Sequence, residues 1–167
     1  MGIFKFIEKK KRKKQNEKYF AEEREIQKPI TQQIEKANYE EAYKIAKKHY
    51  QSDGYEKYFR QTKLFICLKL IDLCYKLNKD EEVDEYINTY KSIDETLKFH
   101  KERGDFYYEI GKVMYENGRK EKSRKFLQTA YDKSNGTLFL TKEDKEKYLT
   151  FLNIKDDRTF EDFSEDY

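Results

Sequence analysis

The sequence predicts an all-α fold built from antiparallel helix hairpins, and composition gives the first two reasons. Only six Gly and one Pro occur in 167 residues, so few positions suit tight turns, and Lys, Glu and Tyr dominate where a sheet would need Val, Thr and Gly. Charged residues make up 41% of the chain, which is typical of disorder, but 15 Tyr and 12 Phe supply a core. A folded helical protein with a very polar surface is therefore expected.

The third reason is an internal repeat. Ala42, Val83 and Ser123 each begin a stripe at the i, i+4, i+7 spacing of one helix face, and they lie 41 and 40 residues apart. A short polar break precedes each stripe, at Asn38, at 77–80 and at 116–118. This spacing predicts about three helix-turn-helix hairpins in a helical repeat domain that covers residues 23–153.

Residues 1–22 are predicted to form a basic leader before this domain. Seven basic residues face one acidic residue, Glu8, within the first 14 positions. Apolar residues come before the basic run, which is the reverse of a secretory signal. The candidate contact residues for a membrane or a polyanion are Phe4, Phe6, Lys9, Lys10, Lys11, Arg12, Lys13 and Lys14. A membrane surface, a nucleic acid and a merely solubilising role all stay open here.

The first hairpin is predicted from Ile26, Ile30 and Ile34, with Pro29 in the first turn of a helix. Asn38 is placed to cap the next helix. In the second hairpin, 11 of the 14 residues from 64 to 77 are apolar, so this helix should be covered from both flanks. Its two cysteines, seven residues apart, are too far apart along a helix to bridge and are expected in the core.

In the third hairpin, the small residues Gly111, Ser123 and Ala130 fall where two helices would touch. Gly136 should end the second of these helices. Thr141 then caps a short closing helix whose Tyr148, Leu149 and Leu152 seal the last repeat. Residues 154–167 form an acidic tail with interspersed aromatic residues, Phe160, Phe163 and Tyr167, and this tail is expected to be flexible.

The third hairpin resembles the tetratricopeptide motif, with Tyr107 in the aromatic position, Ile110 and Gly111 in the Leu–Gly position and Ser123 in the small-residue position. The period of about 40 residues exceeds the usual 34, so longer helices or a HEAT-like array are expected. This resemblance implies an α-solenoid whose first helices carry a partner-binding face. By position, that face presents Asp72, Tyr75, Lys76, Asp105, Tyr108, Lys112, Tyr115 and Glu116.

This compact helical-repeat chain, with its closing segment over residues 130–152, also resembles small helical-repeat immunity proteins of bacterial polymorphic toxin systems. This resemblance implies a bacterial protein that binds and neutralises a toxin domain.

The residues themselves show no nucleophile elbow, phosphate-binding Gly loop, HExxH or CxxC, so no enzyme activity, cofactor or metal is expected. The two lone histidines, His49 and His100, are expected to pack or hydrogen-bond. A protein partner is the main hypothesis; peripheral membrane contact is the alternative, and nucleic acid is the least favoured of the three. A cytoplasmic location is expected, with the inner face of the membrane as the alternative, and the oligomeric state stays open.

Overall fold

The computed structural model describes the backbone of residues 2–159 and the side chains from residue 10 onward. Over this range the chain is helical and contains no strand, which confirms the all-α class. It divides between Val83 and Asp84 into two compact units, called unit 1 and unit 2 here. None of the described helices has both the length and the apolar composition needed to cross a bilayer.

Unit 1 begins with one long helical stretch. Helix α1 (Gly2–Glu22) continues through a π turn (Glu23–Gln27) into α2 (Lys28–Glu35) without a break. Pro29 lies in the first turn of α2, as predicted, directly after the π turn. In the π turn just before it, the Lys28 N–H bonds to the Glu23 carbonyl five residues back. The basic leader is therefore helical and continuous with the first hairpin.

The rest of unit 1 consists of α3 (Tyr39–Tyr50), a 3-10 turn (Tyr55–Lys57) and α4 (Arg60–Lys76). Helix α3 packs against both α2 and α4. Eight side chains of α4 are buried, including both cysteines, which are free thiols. The apolar composition of this helix thus reflects core packing, as the sequence predicts. Helix α5 (Asp80–Asp94) spans the boundary between the units.

Unit 2 contains a short helix α6 (Lys98–Arg103), then α7 (Asp105–Glu116) and α8 (Lys120–Ser134), which pack against each other. A 3-10 turn (Thr137–Phe139) leads to three short pieces that together we call the closing helix: α9 (Lys142–Asp144), a π turn (Lys145–Leu149) and α10 (Thr150–Leu152). The period of about 40 residues predicts longer helices or a HEAT-like array. In the structure, residues 51–59 lie between α3 and α4, and α6 lies between α5 and α7.

The three hairpin turns have the same local geometry. Ala37, Asn78 and Gly118 each take a left-handed conformation, with φ of 58°, 56° and 74°. In each turn the next residue donates its N–H to a carbonyl five residues earlier, at 2.9 Å. This is the Schellman arrangement, which ends a helix and satisfies its last carbonyls. The turns repeat at the 41- and 40-residue spacing of the buried residues Ala42, Val83 and Ser123.

The predicted small-residue contact in unit 2 is confirmed. Ser123 donates its hydroxyl to the Gly111 carbonyl at 2.9 Å, which ties α8 directly to the backbone of α7. A Cβ on Gly111 would lie 2.9 Å from Cγ and Cδ2 of the fully buried Leu127. Ala130 is also fully buried. The two helices therefore approach as closely as a glycine permits.

Two predicted helix caps have different outcomes. The Thr141 hydroxyl accepts the Asp144 N–H at 3.1 Å, so this cap is confirmed. Asn38 stands before α3, but its side chain makes no capping hydrogen bond and instead donates to Gln33 at 3.0 Å. The prediction that Asn38 caps α3 is therefore wrong. Its side chain bonds instead to Gln33 in α2, the helix that ends just before the turn.

The beginning of the predicted flexible tail is anchored to unit 2. Asp156 has a side chain only 4% exposed and accepts hydrogen bonds from Tyr131 at 2.8 Å and from Arg158 at 2.6 Å. The tail residues Phe160, Phe163 and Tyr167 lie outside the described residues.

Candidate functional site

In unit 1, the predicted partner-binding residues of α4 have different environments. Tyr75 is only 8% exposed, so its assignment to an open face is wrong. The Asp72 carboxylate pairs with Lys76 at 2.5 Å, one helical turn away. The Lys76 ammonium also lies 5.6 Å from the centre of the Tyr39 ring on α3. Lys76 and Asp72 therefore form a local charged group where α3 and α4 meet.

In unit 2, Asp105 and Tyr108 are buried, so the prediction that they line an open face is also wrong. The ring of Tyr108 packs edge-on against Phe139 at 5.1 Å, because the chain after α8 returns over this part of α7. Burial, and then a hydrogen bond with Asp144, raise the pKa of the Tyr108 hydroxyl. Lys112 lies over the same ring at 4.6 Å and is 3.7 Å from the Asp144 carboxylate. These groups hold α7 to the closing helix.

The Asp105 carboxylate organises the junction of α6 and α7. It accepts two hydrogen bonds from Arg103, at 2.7 and 2.8 Å, and lies 2.7 Å from His100 Nδ1. The same His100 nitrogen is 3.1 Å from the buried Asp94 at the end of α5. Gly104 separates α6 from α7 with φ of 85°. The lone histidine thus has the hydrogen-bonding role that the sequence predicts.

The other histidine, His49, has a comparable role in unit 1. Its Nδ1 lies 3.2 Å from the Tyr58 hydroxyl. Burial, together with the neighbouring Lys48 charge, lowers the pKa of the imidazole. Among the described residues, no group of three His, Cys, Asp or Glu side chains is placed to hold a metal ion.

Tyr115 and Glu116, at the end of α7, meet the closing helix at the surface. The half-buried Tyr115 ring contacts Tyr148 at 5.3 Å and Phe151 at 4.9 Å, both in edge-to-face geometry. The exposed Glu116 pairs with Lys147 at 2.5 Å and accepts the Tyr148 hydroxyl at 2.9 Å. Partial burial opposes ionisation of Glu116, but these two hydrogen bonds outweigh it and lower its pKa.

Three cations surround the two outer rings of this cluster. The Lys120 ammonium lies 3.0 Å from the centre of the Tyr115 ring, and the Arg124 guanidinium lies 4.4 Å from that of Phe151. Lys147 reaches the Tyr115 ring at 5.9 Å from the closing helix. We call this surface the aromatic–cation face; it consists of Tyr115, Lys120, Arg124, Lys147 and Phe151.

A shallow groove of about 520 Å³ runs along this face and belongs entirely to unit 2. Its lining combines two aromatic rings, one threonine and three charged residues: Tyr115, Glu143, Glu146, Lys147, Thr150 and Phe151. Rings held by edge-to-face contacts and cation–π contacts form a rigid, amphipathic surface. Such a surface can accept an apolar side chain while the charges at its rim pair with a partner of opposite sign.

The basic candidate residues lie on α1. Lys10, Lys11, Arg12, Lys13 and Lys14 are all exposed. The side chains of Phe4, Phe6 and Lys9 fall outside the described residues.

Sequence reasoning missed Lys120, Arg124, Lys147 and Phe151. The signal for Phe151 was present, because it follows the predicted seal residue Tyr148 by three positions on the same helix. The lysines and the arginine carried no such signal, since a chain with 36 basic residues offers many equivalent positions.

The chain matches no protein-family model, no curated protein sequence and no solved structure.

Proposed function

We propose that this chain is a non-enzymatic module that binds another protein through the aromatic–cation face of unit 2. The observation that carries the proposal is the half-buried pair Tyr115 and Phe151, whose rings pack on each other and are flanked by three cations, while Tyr115 also packs on the buried Tyr148. Aromatic and arginine side chains in such settings dominate protein–protein binding energy. Because these rings are already held in place, binding would cost little side-chain entropy.

The partner that suits this face carries an apolar or aromatic side chain next to carboxylates. The apolar group would occupy the groove and pack against the Tyr115 and Phe151 rings that line it. A guanidinium stacked on a ring still presents its N–H groups edgewise, so Arg124 is suited to pair with a carboxylate. Glu143 and Glu146, which also line the groove, favour a basic residue of the partner next to them, and this would fix the orientation of the partner.

The scaffold in this proposal is a tetratricopeptide-like stack of three hairpins closed by the helix over 142–152. The support is the Schellman turn that recurs at 37, 78 and 118, with a buried residue five positions after each. The resemblance to immunity proteins makes a toxin domain the first class of partner to test.

The test is affinity capture with the full chain as bait. We expect the combined variant Arg124→Ala and Phe151→Ala to retain the helical circular-dichroism spectrum and to capture at least about tenfold less of the partner that the wild type captures. Lys125→Ala is the matched control, because Lys125 is the next exposed basic residue on α8 and is outside the face. Undiminished capture by the combined variant, or an equal loss with Lys125→Ala, would reject this face.

A further inference from the structure

Among the described side chains of helix α1, from residue 10 to residue 22, those that contact the rest of unit 1 lie near the C-terminal end. Every residue from 10 to 18 is exposed, although these positions cover all sides of a helix. The contacts begin at Lys18, which donates to the Lys57 carbonyl at 3.0 Å, and at Glu22, which accepts the Phe59 N–H at 3.0 Å. Ile26, in the π turn, is the first buried apolar residue after them. A helix with no packed face is marginal in water, so a partner surface would stabilise it.

The charge on this helix has one sign over a long stretch. Residues 9–14 are six consecutive Lys and Arg, and the next acidic residue is Glu17. At 100° per residue, six positions cover more than a full turn of the helix, so the positive charge surrounds it. The only described ion pair within this stretch joins Lys13 and Glu17 at 4.0 Å, where both side chains are well exposed. The helix therefore suits an anionic surface.

The apolar residues before this stretch favour one kind of anionic surface. In the sequence, Ile3, Phe4, Phe6 and Ile7 precede the basic run, and at 100° per residue their positions span an arc of about 160°. Lys10, Lys11 and Lys14 follow within the same arc, one and two turns further along. Apolar positions followed by basic ones on one side match the order of acyl chains and anionic head groups in a bilayer. A nucleic acid would use the basic residues but not the four apolar ones.

We propose that α1 docks this protein on an anionic lipid surface. Residues 3–7 would enter the interfacial layer while residues 9–14 meet the head groups. Four apolar side chains are too few for permanent anchoring, so the docking is reversible. This site is on a different unit from the aromatic–cation face, and its test is independent of the protein-binding proposal.

The experiment is co-sedimentation of the full chain with vesicles of phosphatidylcholine alone or with about 30% phosphatidylserine. We expect sedimentation with the anionic vesicles, loss of sedimentation on raising the salt, and little sedimentation with the neutral ones. Each basic residue near an anionic surface contributes about a fivefold gain in partitioning. Lys10→Gln, Lys11→Gln, Lys13→Gln and Lys14→Gln together should therefore reduce binding at least about 100-fold.

The matched control removes four exposed lysines elsewhere: Lys44→Gln, Lys48→Gln, Lys122→Gln and Lys125→Gln. It changes the net charge equally and should retain binding within about fivefold. Equal losses in the two quadruple variants would overturn the proposal, because general charge rather than α1 would then be responsible. Equal sedimentation with neutral vesicles would also overturn it.

A second variant separates lipid from nucleic acid. Phe4→Ser with Phe6→Ser should abolish vesicle binding while leaving the basic residues in place. Wild-type vesicle binding by this variant would contradict insertion of the apolar residues. Binding of single-stranded RNA by the wild type in the absence of vesicle binding would assign the helix to nucleic acid and overturn the lipid proposal.

Discussion

Replacing Gly111 with Ala tests the close packing of α7 on α8. The new Cβ would lie 2.9 Å from two side-chain carbons of Leu127 and 3.2 Å from its backbone nitrogen. Leu127 is fully buried and its backbone is fixed in α8, so the helices must move apart. Overpacking of this kind costs about 1–3 kcal/mol. The separation also weakens the Ser123–Gly111 hydrogen bond, which contributes about 1 kcal/mol.

One effect opposes this cost. Ala is favoured over Gly within a helix by about 1 kcal/mol. We therefore expect a net loss of about 1–2 kcal/mol in the free energy of unfolding, which lowers the melting temperature by about 2–8 °C in a chain of this size. Thermal unfolding followed by far-ultraviolet circular dichroism measures the change.

Gly54→Ala is the matched control. Gly54 has φ of −84°, and a Cβ there would meet nothing closer than 3.8 Å. This variant should be as stable as the wild type or more stable by up to about 1 kcal/mol. If Gly111→Ala is no less stable than the wild type, the close approach of the two helices is refuted.

Three further predictions concern the core, the tail and the closing helix. Both cysteines are buried, and burial raises the pKa of the Cys74 thiol to about 12. Ellman's reagent at about pH 8 should therefore react with the two thiols only after urea is added. Rapid reaction of the native protein would contradict this prediction. The Arg158 guanidinium lowers the pKa of Asp156, so this carboxylate stabilises the fold above its ordinary pKa and less as the pH falls below it. Asp156→Asn should accordingly reduce stability to urea at neutral pH, with a smaller difference from the wild type near pH 3, and a constant difference would argue against the ion pair. Thr141→Ala removes a helix cap and should lower the free energy of unfolding by about 1 kcal/mol, measured by thermal unfolding. Asn38→Ala removes no capping hydrogen bond and should lower it by less. The reverse order would contradict the two cap assignments.

Local pattern was sufficient to predict the hairpins because their turns are local. Asn78 and Gly118 belong to residue types that adopt left-handed backbone at little cost, and the polar breaks around them were visible in the sequence. Ala37 gave no such signal, so the turn there was assigned to the neighbouring Asn38. Helix α6 was not predicted, because it has no buried apolar face: it is held through His100, which contacts Asp94 and Asp105, and Arg103, which pairs with Asp105.

The candidate site was predicted only in part, because periodicity defines a helix face but not what covers it. Tyr108 and Tyr115 are on related positions of α7, yet Phe139 covers the first and the second reaches the surface. The cover over Tyr108 comes from Phe139, 31 positions later in the chain, and helical spacing within α7 contains no information about it.

Hydrogen–deuterium exchange of the full chain with and without its captured partner tests the central proposal most directly. The account predicts slower amide exchange on binding at 115–124 and at 143–151, with no change at 41–48 on α3. Protection confined to other segments, with these two unchanged, would contradict the assignment of the aromatic–cation face as the protein-binding site.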